Sequence, residues 1–278
     1  MPIYCSSTLR MTPTDSTGSF PADTEGAIYY DDSEAKLKHY DGNTWKTMAG
    51  FSNSSSIVFN SSNFVSVPDD ASLRPSTFTI ALWFKFDADD QEFMISKMKA
   101  NQGDTGVFID HQAVNGRESI RCEANINGNK NAYGDTDLSP NTWYHVAVKF
   151  DGTHLAVLLN GSLDGTPVNC GSHTPDLGDG QEPLEIGGRN GSANYNGKID
   201  EVAFWNTALS NDAIASVYNG GGPFNLKTDT RGDYTSAYQS NLVGYWRLEG
   251  NLVDSSGQGN DGSMNTGTAT YSGDRVVA

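Results

Sequence analysis

Residues 254–262, DSSGQGNDG, gather Asp254, Asn260 and Asp261 into one glycine-punctuated loop. Glycines let a backbone curl tightly, so carbonyl and carboxylate oxygens can converge. A hard cation such as calcium takes roughly six to eight such oxygens. Asp200, in the Ile199–Asp200–Glu201 run, is a further carboxylate for the same calcium site. The loop also reads as a polar turn in which Asp254 and Asn260 cap backbone amides. Glycan hydrolysis would need two carboxylates facing each other across a cleft. Asp200 and Glu201 are adjacent, and neighbours on a strand point to opposite faces. Asp87, Asp89, Asp90 and Glu92 follow a strand and read as a solvated acidic turn. The histidines, His39, His111, His145, His154 and His173, make no pair at ligand spacing on one element. There is no GxSxG elbow, no Cys/His nucleophile signature, and no glycine-rich loop opening a helix. No enzymatic activity is expected.

The remaining chemistry is that of binding. Tyr133, Tyr195, Tyr234 and Tyr238 fall in predicted loops and are candidates for a glycan or protein contact, since an aromatic face stacks on a sugar ring. Trp83, Trp143, Trp205 and Trp246 lie in predicted strands and read as packing. Arg231–Gly232–Asp233 spells a cell-adhesion tripeptide within a polar loop and reads as coincidence. Acidic residues number 34 and basic residues 18, for a net charge of −16. No basic run could neutralise a phosphate backbone, so a nucleic-acid partner is not expected. No segment approaches the roughly 18 apolar residues of a membrane span, and MPIYCSSTLR has no charged region leading into an apolar one, so neither a membrane partner nor a signal peptide is expected. Cys5, Cys122 and Cys170 are odd in number and widely spaced, as reduced structural thiols would be.

These residues need elements to hold them. The first 25 residues are rich in Thr, Ser, Pro and Asp and read as an extended arm. Residues 26–48, GAIYYDDSEAKLKHYDGNTWKTM, alternate short β-prone runs with turns and predict a three-stranded meander. Such a unit is too small to be stable alone. It is expected to anchor or oligomerise the chain, with Tyr29, Tyr30, Tyr40 and Trp45 as its contact residues. Beyond residue 50, short strands recur between Asn, Gly and Asp turns. In Phe78–Phe86, the residues Phe78, Ile80, Leu82, Phe84 and Phe86 share one face at period two. Tyr144, Val146, Val148 and Phe150 repeat the pattern, and Asp151-Gly152 and Asn160-Gly161 turn the chain around 155–159. Leu184–Ile186, 199–205 and 242–248 are further strands. One helix is expected: Ser210 caps it, Asp212 suits its first turn, Ile214, Val217 and Tyr218 share a face, and Asn219 with three glycines stops it. The pattern predicts an all-β, two-sheet antiparallel sandwich over 51–265 and a loose tail over 266–278.

The order FTIALWFKF (78–86), ISK (95–97), TWYHVAVKFDGTHLAVLLNG (142–161), PLEIGG (183–188) and NGKIDEVAFWNTALSNDAIASVYNGG (196–221) resembles the laminin-G-like, concanavalin-A-type jelly roll. The segment LVGYWRLEGNLVDSSGQGNDGS (242–263) resembles the stretch that often opens such domains, here placed last in a permuted arrangement. The resemblance implies a jelly roll that often binds calcium at its rim. GAIYYDDSEAKLKHYDGNTW resembles segments of tailed-phage fibre and appendage proteins. Together these imply a non-enzymatic virion protein made in a bacterial cytoplasm: a tail fibre, capsid fibre or head-decoration protein. It would be a homo-oligomer, a trimer if a fibre, joined to other virion proteins of head or tail. The alternative is a carbohydrate-binding adhesin that recognises a host surface glycan.

Overall fold

The computed structural model describes the strands of the N-terminal region and residues 53–276, apart from 89–90, 99–105, 115, 179–181 and 190–192. For the strand residues within 28–47 and for 193–194 the description is of the backbone. The chain divides into two compact units, residues 1–52 and 53–278.

In the first unit, β1 (Ile28–Asp31), β2 (Lys36–Tyr40) and β3 (Trp45–Thr47) form an antiparallel meander in that order. Tyr29 pairs with Lys38, and Tyr40 with Trp45. The side chains of Tyr29, Tyr30, Tyr40 and Trp45, expected as contact residues, lie outside the described residues, as does Cys5.

The second unit is a sandwich of two antiparallel sheets. The seven-stranded sheet runs β10 (Asn129–Tyr133), β9 (Arg117–Asn125), β8 (Gly106–Val114), β7 (Glu92–Met98), β15 (Leu184–Ile186), β5 (Val65–Val67), β20 (Ser263–Met264). The other sheet runs β13 (Ser162–Leu163), β12 (His154–Leu159), β11 (Tyr144–Phe150), β6 (Phe78–Phe86), β18 (Asn196–Trp205), β4 (Ser56–Asn60), β21 (Thr270–Ser272). Two further strands join it, β14 (Val168–Asn169) beside β12 and β19 (Leu242–Trp246) beside β18. A separate small hairpin, β16 (Gly188–Arg189) with β17 (Ala193–Asn194), completes the strands.

The period-two pattern decides which face is buried between the sheets. Phe78, Ile80, Leu82, Phe84 and Phe86 are fully buried there, opposite Ile109, Ile120, Cys122 and Ile186 of the same core. The other face of β6 is also covered. Leu158, Ala147, Ala81 and Ala203 stand side by side across β12, β11, β6 and β18. Three small side chains in a row leave a shallow trough, and helix α1 (Asn211–Tyr218) lays Ala213, Ile214 and Val217 over it in a second core with Trp205, Phe224, Tyr234 and Tyr245. Ser210 Oγ accepts from Ala213 N at 3.0 Å and caps α1, and Asn219 ends it in the left-handed region at φ 51°. A short α2 (Ser236–Ser240) precedes β19. Among the described residues, no helix is long and apolar enough to cross a membrane.

The expected tail from 266 onward is corrected. Thr270–Ser272 pairs with β4, and Ser56 Oγ donates to the Asp274 carbonyl at 2.7 Å. Asp274 also receives Lys85, Lys198 and the Trp143 indole N–H. Long-range pairing partners, not local pattern, order this segment.

Candidate functional site

The outer faces of the two sheets differ. The nine-stranded one is capped by α1 and the chain leading to β19. The seven-stranded one presents polar and aromatic side chains. In register across it stand Tyr133, Arg121, Asp110 and Phe93, each directly opposite the next. Their strand neighbours Ala132, Cys122 and Ile109 point into the core, so alternation sends this row outward. Asp110 is fully buried and accepts from Arg121 Nε at 3.0 Å, Arg121 Nη2 at 2.6 Å and Gln91 Nε2 at 2.9 Å. Burial pushes its carboxyl above the usual range against the pull of Arg121. The Arg121 guanidinium lies 4.7 Å from the Phe108 ring, and Arg189 lies 4.8 and 4.9 Å from Phe93 and Phe108. Phe93, Met98 and Phe108 form a small apolar cluster of their own beneath them. Tyr133, at the sheet edge, is 39 % exposed. Phe93 and Phe108 are buried beneath these guanidinium groups, so Tyr133 is the ring of the row left to stack on an apolar ring face, beside an Arg121 guanidinium held by Asp110.

The four candidate tyrosines separate. Tyr133 is exposed and belongs to this row. Tyr238 is half-buried, accepts from Ser210 N at 3.3 Å and stacks on Tyr234. Tyr234 and Tyr195 are fully buried, which corrects their assignment as contact residues. Tyr234 donates to the Leu226 carbonyl and accepts from the Trp205 indole under α1. Tyr195 turns inward just before β18 and meets Phe59 and His111 edge-on. Arg231–Gly232–Asp233 is exposed at a tight hairpin turn closed by Arg231 and Tyr234, with the Arg231 guanidinium laid over Phe224 and bonded to Asn219.

In the loop considered for calcium, the chain's own donors meet Asp254. Asp254 accepts from Tyr245 N and Ser256 N through Oδ1, and from Ser256 Oγ and Asn260 N through Oδ2, all at 2.8–3.0 Å. Its oxygens are thus filled by the chain itself. Asn260 donates to the Val243 carbonyl, its own carbonyl receives the Trp246 indole, and Asp261 accepts from Asp254 N. This bonding has the form of a capped turn. Asp200 joins none of these; it lies with Glu201, Glu249 and Asn53.

That grouping overturns the opposite-faces reading of Asp200 and Glu201. Strand β18 pairs with β4 through Ile199, then with β19 from Val202. Its register with β6 shifts between Asp200 and Ala203, and Glu201 takes φ 48°. The bulge suspends alternation, so oxygens of Asp200, Glu201 and Glu249 lie within 4.8 Å of one another. Burial pushes the Asp200 carboxyl up to about 8 and Glu201 well above its usual range.

A second buried cluster draws its members from three strands. His111, on β8, is fully buried between Glu118 of β9, with Nδ1 2.6 Å from Oε1, and Glu92 of β7, with Nε2 3.4 Å from Oε2. Burial opposes its charge, but the two glutamates outweigh it and hold the imidazole pKa above its ordinary value. His145, without such partners, is pushed down to about 3 by burial.

A two-sheet antiparallel jelly roll with a helix laid over one outer face is the fold class of this unit. The chain belongs to the concanavalin A-like lectin/glucanases superfamily, whose Laminin_G_3 profile matches residues 59–215. Among solved structures, a candidate carbohydrate binding protein from Bacteroides ovatus ATCC 8483 aligns with a TM-score of 0.59 at 18 % identity, over 84 % of this chain and 63 % of that one. The CBM40 domain of the Ruminococcus gnavus IT-sialidase, bound to α2,3 sialyllactose, aligns with a TM-score of 0.50 at 15 % identity, over 59 % of this chain and 95 % of that one. At these identities the likeness is one of fold. A search of the curated proteins gave no match.

Proposed function

We propose that this chain is a non-enzymatic glycan-binding display protein, whose jelly roll holds carbohydrate on the outer face of the seven-stranded sheet. The observation that carries this reading is the Tyr133–Arg121–Asp110–Phe93 row: a donor fork fixed by a buried carboxylate beside the exposed Tyr133 ring, on a sheet face that no helix covers among the described residues. Membership of a lectin/glucanase superfamily and the carbohydrate-binding neighbours support it. The full chain should bind a subset of a glycan array built from bacterial surface polysaccharides. Tyr133→Ala should weaken that binding by about tenfold, the scale of one aromatic contact residue, with an unchanged melting temperature. Binding indifferent to both Tyr133→Ala and Arg121→Lys would place the site elsewhere; absence of binding across the array would remove the reading.

The separate N-terminal unit supports a second role, attachment. In this reading residues 1–50 join the chain to the head or tail of a bacteriophage particle as a homo-oligomer, and the jelly roll projects toward the host. A chain lacking residues 1–50 should fold and fail to join particles in electron cryo-microscopy. Unchanged incorporation would overturn that division.

A further inference from the structure

We propose that Asn127–Gly128, at the tip of the β9–β10 hairpin, is a site of spontaneous deamidation. Asn-Gly pairs open at residues 115, 127, 160, 190, 196 and 219. Those opening at 127, 160, 196 and 219 lie wholly within the described residues. The reaction is intramolecular. The backbone nitrogen of the glycine attacks the asparagine Cγ; a C–N bond forms and the Cγ–Nδ2 bond breaks. Ammonia leaves, carrying the proton of the attacking amide. The cyclic imide left behind takes up one water at either carbonyl and opens to aspartate or to isoaspartate. Solvent water is the one co-reactant.

The dipeptide is the same at all these positions, so the surrounding structure decides among them. Attack needs a side chain free to swing over the next nitrogen and a glycine with room around it. Asn127 and Gly128 are both exposed, and the Asn127 side chain makes no hydrogen bond among the described residues. Beyond its chain neighbours, no atom lies within 4 Å of where a Gly128 Cβ would stand. Asn125 pairs with Asn129 across the turn, and Ile126 N donates to the Gly128 carbonyl at 3.0 Å. That bond uses the glycine carbonyl, not the attacking nitrogen. The other three pairs are restrained. Asn160 Oδ1 accepts from His145 N at 2.9 Å, and a Cβ on Gly161 would lie 3.0 Å from Tyr218. Asn196 stands inside β18 with its N–H on Glu92 Oε2 at 3.1 Å, and a Cβ on Gly197 would meet the Lys85 carbonyl at 2.2 Å. Gly220 is open, but the Asn219 side chain is held at both ends: Nδ2 donates to the Gly222 carbonyl at 2.9 Å, and Oδ1 accepts from Arg231 at 3.3 Å.

The two products act differently on the hairpin. Aspartate keeps the backbone and, like asparagine, tolerates the left-handed conformation that residue 127 holds at φ 53°. Isoaspartate routes the chain through Cγ and adds one carbon to the backbone of the turn. The turn then no longer matches the Asn125–Asn129 pair that closes it. β10 is the edge strand of its sheet, paired with β9 alone, so the strain is relieved by fraying of β10. β10 carries Tyr133, so on the glycan-binding reading the damage falls on the site itself; the chemistry at Asn127 does not depend on that reading.

The test ages the full-length chain in mildly alkaline buffer and follows each asparagine by peptide mass spectrometry, where conversion of an amide to a carboxylate adds about 1 Da. Asn127 should convert several-fold faster than Asn160, Asn196 and Asn219, and both aspartate and isoaspartate should form. Hydrogen exchange of the β10 amides should quicken in the fraction carrying isoaspartate at 127. It should stay native in Asn127→Asp, which has the new charge without the extra backbone carbon. Conversion of Asn160, Asn196 or Asn219 at the rate of Asn127 or faster would overturn the proposal. So would an Asn127 that stays intact while a synthetic peptide of residues 123–132 converts. Exchange equally quick in Asn127→Asp would overturn the role given to the added carbon. A chain that binds no glycan yet deamidates first at Asn127 would sink the glycan-binding reading and uphold this one.

Discussion

Asp254→Ala is expected to lower the unfolding free energy by about 3–5 kcal/mol, because three buried backbone amides lose their acceptor at once. Tyr245 N, Ser256 N and Asn260 N all end on this carboxylate. Each buried donor left without a partner costs about 1–3 kcal/mol, and the loop cannot swing out to water while Trp246 is held by the Asn260 carbonyl. Asp254→Asn keeps one acceptor oxygen and should cost less. Urea unfolding of the two variants checks the ordering; a loss below about 1 kcal/mol in Asp254→Ala would mean that the turn is held by something other than its cap.

The second large effect is expected at His111, and it depends on pH. The folded-state pKa lies above the ordinary value. A group raised in this way contributes stability that is fully present below about pH 6.5, its unfolded value, and that is lost as pH rises through the folded value. Wild-type stability should therefore fall as the pH rises above that unfolded value. His111→Leu removes the imidazolium from between Glu92 and Glu118 and should cost about 3 kcal/mol or more near pH 6, with the deficit shrinking as the pH is raised. Urea midpoints measured from pH 6 to 9 test the slope; a deficit constant across that range would show that the ring acts by packing on Phe86, 4.3 Å away, and not by its charge.

Most of the sandwich could be read from local pattern. Period-two runs in 78–86 and 144–150 carry the core face directly, and Ser210 and Asn219 mark the helix ends where the caps occur. Other features had no local signal. Thr270–Ser272 has neither strong alternation nor β-rich length, and is a strand because β4 offers it an edge. Tyr195 sits in a polar Gly/Asn run, and only the neighbouring Phe59 and His111 show that it turns inward. The bulge at Asp200 and Glu201 arises from competition between β4 and β19 for one strand, which no window of sequence around residue 200 contains. Of the candidate site, the sequence marks Tyr133 as a residue but carries no sign of the row. Its partners Arg121, Asp110 and Phe93 are separated from it along the chain and meet through sheet register.

The pairing of β20 with β5 and of β21 with β4 also has a bearing on biosynthesis. Both partners are made early, and both wait for strands near residues 264 and 272 before their open edges are covered. Until then a nascent chain on the ribosome presents two unpaired strand borders, the kind of surface on which neighbouring chains add to one another. Contacts of such long sequence separation form slowly. Translation speed through the last third of the coding sequence, and chaperones able to shield β4 and β5 in the interval, should therefore govern the yield of native protein more strongly than changes made within the central strands.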